Sequence, residues 1–430
     1  MNSFKTISEA ISNSKNVFIS GVGGCGKTYL LKQLFQYFKE KKRCVLTSTT
    51  GISAYNLGGI TVHSWCKIVI PQHIENVQEW MERLVSTLRK RPGIARKYQD
   101  LEVLFIDEVS MMGANYFDVL NYVCQNLRRN SKVFGGLQIV LSGDMMQLSP
   151  VLDNFVFESQ VWDQCNLQFY RLVKAWRFDN QRWVDLLQRA RVGKLNAEDC
   201  ALLKSRVNLD NQIKQGQLPP IYLASKNSSV DLINKNSLET NTHPCVIFTS
   251  SDFMVRKNED GSVKASIPTK LTPEISSQFI VDSMLSLKLG CQVMLLANLD
   301  VESGHTNGAR GLVKKIQGLT ITVDFEGGGE KEIEPYSFPL EYKDSHYSRL
   351  ALPLKLAFAT SIHKSQSLTL SSVEIDIGSD VFCEGQSYVA LSRCKSLDGL
   401  FIRSLDLSKI KPNSKALQFE LVFLKQCIDV

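Results

Sequence analysis

The stretch Gly21-Val22-Gly23-Gly24-Cys25-Gly26-Lys27-Thr28 fits the pattern G-x-x-x-x-G-K-[ST] and decides the first part of the fold. A short apolar run at 17–19 precedes it and a helical pattern at 28–38 follows, which is the strand and helix context that a P-loop requires. The glycines let backbone N–H groups converge on a phosphate at a helix N-terminus. We therefore predict a nucleoside triphosphate site whose contacts come from Gly21, Gly23, Gly24, Cys25, Gly26, Lys27, Thr28 and Tyr29.

Two further apolar strands end in acidic residues. The strand predicted at 103–107 ends in Asp107 and Glu108. Asp107, together with Thr28, suits coordination of Mg²⁺, and Glu108 is placed to orient and deprotonate an attacking water. The strand at 138–141 is followed by Asp144 and Gln147, and the neutral Gln147 amide can sense the γ-phosphate. For Asp144 a simple role in a turn or helix cap stays open.

Strands alternate with helical patterns along most of the chain, which is typical of an α/β fold with parallel sheets. We predict a first motor domain at 1–169 and a second one split between 170–239 and 353–430, the latter part containing a strand at 354–358. Glycines punctuate short β-like runs at 240–352. We interpret that segment as a small β domain inserted into the second motor domain.

Composition excludes several classes of protein. The 430 residues are 43% hydrophobic and 22% charged, with a net charge of +7, which permits a polyanionic partner without demonstrating one. The sequence lacks an apolar run of membrane-spanning length, and its first 20 residues do not resemble a signal peptide. The 11 cysteines show no metal-ligand spacing. We therefore expect a reducing intracellular compartment, nucleus or cytoplasm, and no membrane partner.

These motifs, taken together and in order, resemble the PIF-type (petite integration frequency) helicases of superfamily 1, in the branch that also holds the RecD helicases. The resemblance extends from residue 21 to residue 393 and so covers nearly the whole chain. The matching stretches are GVGGCGKT at 21–28, STTGISA at 48–54, GGITVHSW at 58–65, IDEVSM at 106–111, GDMMQLSPV at 143–151, LKLGCQVMLL at 287–296, TNGARG at 306–311, IHKSQ at 362–366 and QSYVALSR at 386–393.

The resemblance implies two RecA-like P-loop motor domains with an inserted β-barrel, ATP and Mg²⁺ as cofactors, and 5′ to 3′ movement on single-stranded DNA. It implies that Arg177 and Arg393 are arginine fingers from the second domain and that Gln366 lies near the γ-phosphate. The expected partners are single-stranded DNA and tailed or forked duplexes, bound by a monomer. The implied DNA contacts are Thr49, Thr50, His63 and Ser64 in the first domain and His363, Lys364 and Ser365 in the second.

The sequence departs from the family pattern at two points. No glutamine precedes Gln33, so selectivity for ATP is left open, and Ser367 stands where the family has glycine. Two aromatic residues and one basic segment also have alternatives: His63 as an interior histidine, Trp65 as a core residue, and the cations at 83–97 as a solvated face rather than a DNA contact. The competing functions are a nucleotide-gated binding or remodelling ATPase that does not unwind DNA and, less favoured, a small-molecule kinase.

Overall fold

The computed structural model describes residues 2–71, 74–178, 180–208, 218–257, 263–300, 302–342, 345–366 and 368–430, so Ser367 lies outside the described residues. Contacts within the chain group the residues into two compact units. The first unit holds Met1–Cys200, Phe382–Ser392 and Leu407–Val430, and the second holds Ala201–Val381 and Arg393–Asp406.

The first 204 residues alternate strands with helices, as expected. The helices are α1 (Asn2–Ser12), α2 (Lys27–Phe38), α3 (Gly51–Leu57), α4 (Val62–Cys66), α5 (Val77–Arg89), α6 (Pro92–Asp100), α7 (Ala114–Arg128), α8 (Gln181–Arg191) and α9 (Ala197–Lys204). The strands are β1 (Val17–Gly21), β2 (Cys44–Ser48), β3 (Ile60–Thr61), β4 (Val103–Asp107), β5 (Gln138–Ser142) and β6 (Gln168–Leu172).

The remaining elements are mostly strands. The strands are β7 (Ile221–Ala224), β8 (Val246–Thr249), β9 (Ser251–Lys257), β10 (Val263–Pro268), β11 (Met284–Leu287), β12 (Gln292–Leu295), β13 (Arg310–Gln317), β14 (Thr320–Phe325), β15 (Gly329–Ile333), β16 (Tyr336–Tyr342), β17 (Ser345–Ala351), β18 (Leu354–Leu356), β19 (Ala359–Ser361), β20 (Val373–Ile377), β21 (Leu400–Leu405) and β22 (Ile428–Asp429). The helices are α10 (Asn227–Thr240), α11 (Pro273–Ser276), α12 (Gln386–Leu391) and α13 (Ser414–Gln426).

The first unit is built on a parallel sheet in the order β22-β6-β1-β5-β4-β2-β3. Strands β1, β4 and β5 are buried along their whole length. Their side chains alternate between two apolar clusters, with Phe18 and Leu104 in one and Val17 and Phe105 in the other. Burial on both faces explains why these strands are continuous hydrophobic runs in the sequence. The P-loop follows β1, in the middle of the sheet.

The second unit combines a parallel sheet with inserted β structure, as predicted. The parallel sheet has the order β19-β7-β20-β21. Within the described residues, the inserted strands form three antiparallel sheets, of which the five-stranded one has the order β15-β14-β13-β12-β18. The sequence placed residues 354–358 in the second motor domain, and this placement is wrong for β18: Leu354–Leu356 pairs antiparallel with β12 of the insertion, and the parallel sheet resumes at Ala359.

The contacts also group the two ends of the second motor domain differently from the predicted boundaries. Strand β6 begins at Gln168 and pairs with β1, so residues 170–200 belong with the first unit. Part of the predicted segment 353–430 does so as well, because the Phe423 ring of α13 packs edge-on against Phe18, with 5.7 Å between ring centroids. Long-range pairing and aromatic packing decide these assignments, and neither leaves a local signal in the sequence.

The described residues bear on three expectations, concerning membrane-spanning segments, disulfides and metal sites. Among the residues that the structure describes, no helix is both long and apolar enough to cross a membrane. All 11 cysteines are free thiols. Within the same described ranges, no group of three or more His, Cys, Asp or Glu side chains is arranged to hold a metal ion by itself.

Candidate functional site

The P-loop has the backbone geometry that its glycines permit. Gly24 and Gly26 have φ of 82° and 89°, a region that residues with a side chain rarely adopt, and α2 begins directly after Gly26. The Lys27 ammonium donates to the carbonyls of Gly21 (2.7 Å) and Val22 (3.1 Å), so it lies across the mouth of the loop. Lys27 and Cys25 are buried, whereas Tyr29 on the first turn of α2 is 68% exposed. The loop therefore presents a lysine and backbone amides to a phosphate.

The segment after β6 covers the P-loop. The Gly24 carbonyl accepts hydrogen bonds from the amides of Trp176 (2.9 Å) and Arg177 (3.2 Å). Arg177 therefore lies in the first unit, beside the P-loop, and its predicted origin in the second domain is wrong. Burial lowers the pKa of the Arg177 guanidinium, and the nearby Glu108 carboxylate opposes that shift.

Trp176 is a residue that the sequence reasoning missed. Its indole is 68% exposed, it would lie 3.7 Å from a Cβ added at Gly26, and the Lys174 ammonium lies 3.7 Å from the centre of its ring. An exposed aromatic ring beside a phosphate loop offers a surface on which a nucleobase can stack. Its position directly before Arg177 was the available signal.

The two carboxylates after β4 meet the P-loop helix. The Thr28 hydroxyl donates to Asp107 Oδ2 at 2.8 Å. Burial, and then the negative charge of Glu108, raise the pKa of Asp107 to about 6. A hydroxyl and two crowded carboxylates are hard oxygen donors that fit Mg²⁺, and a divalent cation would relieve the repulsion between them. Glu108 has a φ of 52°, a left-handed conformation uncommon for a non-glycine residue and frequent at functional sites.

The segment after β5 contains a buried charged cluster. Asp144 accepts from the Met146 amide (3.1 Å), as a turn residue does, but it also accepts from Arg191 Nη2 at 2.8 Å. Burial would raise the pKa of Asp144, yet the charges of Arg191 and Lys27 hold it below its ordinary value. Gln147 Nε2 lies 3.5 Å from Asp144 Oδ2, and its side chain is 6% exposed. Asp144 therefore has the turn role that the sequence left open, and it also forms an ion pair with Arg191.

Gln366 and Arg393 lie together in the second unit. Arg393 is 2% exposed, and its Nη1 donates to the carbonyls of Ser365 and Leu368, both at 3.4 Å. Gln366 directly follows Ser365 in the sequence, and its side chain is buried, with 5% exposed. The structure thus brings together two residues that were expected to act on the same phosphate.

The expected DNA contacts of the first unit follow β2 and β3. Thr49 Oγ1 donates to the Glu108 carbonyl (2.8 Å), and Thr50 Oγ1 caps α3 by accepting from the Ser53 amide (3.2 Å). Ser64 is half-buried on α4, where its amide is capped by the Thr61 hydroxyl. His63 is exposed and contacts the Tyr116 ring, so an interior histidine is excluded.

Trp65 is a core residue, and some cations of the basic segment contact other parts of the fold. Trp65 is 1% exposed and packs on Tyr98, so it is a core residue and not a base-stacking platform. In the basic segment, Arg83 pairs with Glu79 on α5. Lys97 donates to the Trp65 carbonyl at 3.1 Å, and Arg89 donates to that of Asn126 at 3.2 Å. These cations already serve the fold.

The expected DNA contacts of the second unit follow β19. Lys364 is exposed and His363 is half-buried. Ser365 is fully buried, and its hydroxyl donates to the Ile362 carbonyl at 2.8 Å. Among the described residues of this turn, Lys364 and His363 therefore have side chains that a ligand in solvent can reach. A P-loop after a central parallel strand, with acidic residues at the neighbouring strand ends, defines a P-loop protein of the RecA-like class.

Comparison with known proteins agrees with that class. The PIF1-like helicase family matches residues 2–200, and the 2B domain of DNA helicase Pif1 matches residues 270–316. The ATP-dependent DNA helicase PIF1 of Danio rerio is 35% identical over 420 residues, and that of Homo sapiens is 33% identical over 419 residues. Each match covers 95% of this chain and 62% of the relative, so the chain spans less than two thirds of the length of these relatives.

Solved structures are similar over almost the whole chain. The Pif1 helicase from Candida albicans has a TM-score of 0.79 at 28% identity, covering 98% of this chain and 99% of that chain. Pif1 from Bacteroides sp in complex with ADP-AlF4 has a TM-score of 0.78 at 26% identity, covering 99% and 97%. The chain is similar to PIF1-like helicases over nearly its whole length, and the prediction of two RecA-like domains with an inserted β domain is confirmed.

Replacing Gly24 with alanine tests the geometry of the P-loop. A Cβ at Gly24 would lie 2.5 Å from the Cβ of Arg177 and would require a φ of 82°. We expect Gly24→Ala to weaken binding of a fluorescent ADP analogue at least tenfold, because the loop must move. The matched control is Gly318→Ala, which has a φ of 63° but no atom within 4 Å of the added Cβ. Equal affinity for the two variants would contradict the described packing.

Proposed function

We propose that this chain is an ATP-dependent DNA helicase that moves 5′ to 3′ along single-stranded DNA. The relatives that it matches are named ATP-dependent DNA helicase PIF1. Similar solved structures include a Bacteroides Pif1 helicase in complex with ADP-AlF3 and single-stranded DNA. Another concerns DNA unwinding at forked duplex DNA by two coordinating Pif1 helicases. For this chain we propose single-stranded DNA and tailed or forked duplexes as substrates, and a monomer in solution.

One observation carries the proposal: the Thr28 hydroxyl meets the Asp107 carboxylate at 2.8 Å, beside the Lys27 ammonium of the P-loop. When bound there, Mg²⁺ would neutralise charge on the phosphates. Thr28 and Asp107 would hold the ion, while Lys27 would bind the β- and γ-phosphates. Phosphoryl transfer depends mainly on such positioning and charge stabilisation, so this constellation is suited to ATP hydrolysis.

The remaining residues supply the proton acceptor and the charge in the transition state. Glu108 would accept the proton of the attacking water, and Gln147 would contact the water or the γ-phosphate. Arg177, already beside Gly24, would stabilise the negative charge that develops on the phosphate. We propose the same role for Arg393, with Gln366 as a γ-phosphate contact, as the family resemblance implies.

The nucleic-acid contacts proposed in the first unit are Thr49, Thr50, His63 and Ser64. In the second unit we propose His363 and Lys364, with Ser365 acting through the backbone because its hydroxyl bonds to Ile362. Hydroxyls, amides and single cations bind phosphates without reading sequence, which is what movement along any strand requires.

ATP hydrolysis in the presence of single-stranded DNA tests the catalytic assignment. We expect Lys27→Ala and Arg393→Ala to reduce the stimulated rate by about 10³-fold, a typical effect of removing phosphate-binding cations. The matched controls are Lys32→Ala, an exposed lysine of the same helix α2, and Arg403→Ala, which pairs with Glu374 at 3.0 Å. Retention of the original rate by either test variant, with its fold intact, would overturn the assignment of that residue.

Strand displacement separates a helicase from an ATPase that only binds or remodels DNA. We expect ATP-dependent displacement from a duplex with a 5′ single-stranded tail and none from the same duplex with a 3′ tail. Hydrolysis that DNA stimulates without displacing either strand would favour the nucleotide-gated alternative. Displacement from the 3′-tailed duplex alone would reverse the proposed polarity.

The pH dependence of DNA binding tests the contact surface around Lys364. Burial lowers the pKa of Lys355 on β18 to about 8, and repulsion from the nearby Lys364 ammonium contributes to that shift. The Asp282 carboxylate opposes the shift. Only the protonated amine attracts a phosphate, so affinity for single-stranded DNA should fall as the pH rises through about 8. We expect Lys355→Arg, which stays charged, to remove that decrease. Lys314→Arg, at a lysine paired with Asp324 at 3.3 Å, is the control and should keep it.

A further inference from the structure

One tyrosine joins the P-loop to the buried charged cluster. The Gly23 amide donates to the Tyr388 hydroxyl at 3.0 Å, and that hydroxyl lies 3.1 Å from Asp144 Oδ2. The amide can only donate and an ionised carboxylate can only accept, so the hydroxyl accepts from Gly23 and donates to Asp144. Tyr388 is 3% exposed, and Asp144 has no exposed surface.

Arg191 and Glu420 fix the far side of this chain of hydrogen bonds. Arg191 donates to Asp144 Oδ1 through Nη2 (2.8 Å) and Nε (3.1 Å), and its Nη1 donates to Glu420 Oε1 at 2.7 Å. Arg191 and Glu420 are 5% and 4% exposed. One guanidinium thus fixes two carboxylates in a region that water does not reach, and each hydrogen bond is charge-assisted.

The cluster is also electrostatically linked to the P-loop lysine. Two carboxylates against one guanidinium leave one negative charge, and the Lys27 ammonium is among the charges that favour the ionised form of Asp144. The backbone packs closely at the same place, because a Cβ at Gly385, directly before α12, would lie 2.8 Å from the Gln147 carbonyl. Asp144 is therefore connected to the P-loop by a hydrogen-bond chain and by charge.

We propose that Tyr388 is a positioning residue that holds the P-loop in its nucleotide-binding conformation through the Gly23 amide, and that Arg191 and Glu420 act on the loop through Tyr388. This inference rests on the proposed nucleotide site, but it does not require DNA unwinding. Without the hydroxyl, the buried Gly23 amide loses its partner, and the loop shifts toward conformations that satisfy it in other ways. Apparent affinity for nucleotide then falls with the fraction of loops that remain competent.

Nucleotide binding without DNA tests the proposal directly. We expect Tyr388→Phe, which keeps the ring and removes one oxygen, to raise the Kd of a fluorescent N-methylanthraniloyl-ADP about fivefold. Tyr98→Phe is the matched control, because the hydroxyl of Tyr98 is equally buried and donates to the Cys66 carbonyl at 2.8 Å, away from the P-loop. A wild-type Kd for Tyr388→Phe would overturn the proposal.

A double-substitution cycle tests the route from Arg191. We expect Arg191→Lys, which keeps the charge and loses the two-point contact with Asp144, to raise the Kd about threefold alone and not at all in a Tyr388→Phe background. Glu420→Gln should behave in the same way and replaces Arg191→Lys if that variant does not fold. If the increases in Kd caused by the two single substitutions multiply in the double variant, the cluster does not act through Tyr388 and is only structural. A lowered melting temperature with no change in Kd would lead to the same conclusion. A wild-type protein that binds the probe but fails to displace strands would contradict the helicase proposal and leave this one standing.

Discussion

The hydrogen bond between the Thr28 hydroxyl and the Asp107 carboxylate depends on one constraint, the parallel register of the central strands. Strand β1 pairs with β5 from Val17↔Val140, and β5 pairs with β4 from Gln138↔Val103, so all three end at the same edge of the sheet. A slip of one residue would move Phe18 and its neighbours to the opposite apolar cluster, which makes the register costly to change. Packing in the core therefore sets the distance between the P-loop and the carboxylates, and the site inherits its geometry from buried side chains that never touch a ligand.

Local signals allowed much of this arrangement to be predicted from the sequence. Apolar runs and glycines within about ten residues are enough to recognise the P-loop, the strand that ends at Asp107 and the strand before Asp144. Long-range pairings could not be predicted in this way. The residues of β18 were correctly expected to be a strand, but the choice of β12 as partner depends on a chain reversal that short-range pattern does not encode. The position of Arg177 beside Gly24 and the contact between Tyr388 and Gly23, 365 positions apart, belong to the same class of non-local information.

The backbone at Asp107 and Glu108 links two functions that the sequence suggested separately. The Asp107 carbonyl accepts from the Thr49 amide (3.3 Å), and the Glu108 carbonyl accepts from the Thr49 hydroxyl (2.8 Å). Glu108 itself is held at a positive φ, which the surrounding hydrogen bonds must maintain. The residue proposed to contact a DNA phosphate thus bonds directly to the segment proposed to activate water. Thr49 contacts both residues through hydrogen bonds, one to the Asp107 carbonyl and one to the Glu108 carbonyl.

The buried charges around Asp144 are better explained by positioning than by stability. Replacing a buried ion pair with well-packed apolar side chains is often neutral or stabilising, because desolvation offsets the attraction between the charges. Three charged side chains, each no more than 5% exposed, therefore contribute little that leucine or methionine could not. Unlike apolar residues, they form directional hydrogen bonds. The Arg191 guanidinium fixes the position of the Asp144 carboxylate, and Asp144 in turn orients the Tyr388 hydroxyl, which accepts a hydrogen bond from the Gly23 amide. With apolar residues in place of the cluster, the Tyr388 hydroxyl would lose the acceptor that orients it toward the Gly23 amide. The cluster therefore specifies the position of the loop at a place where packing alone would not.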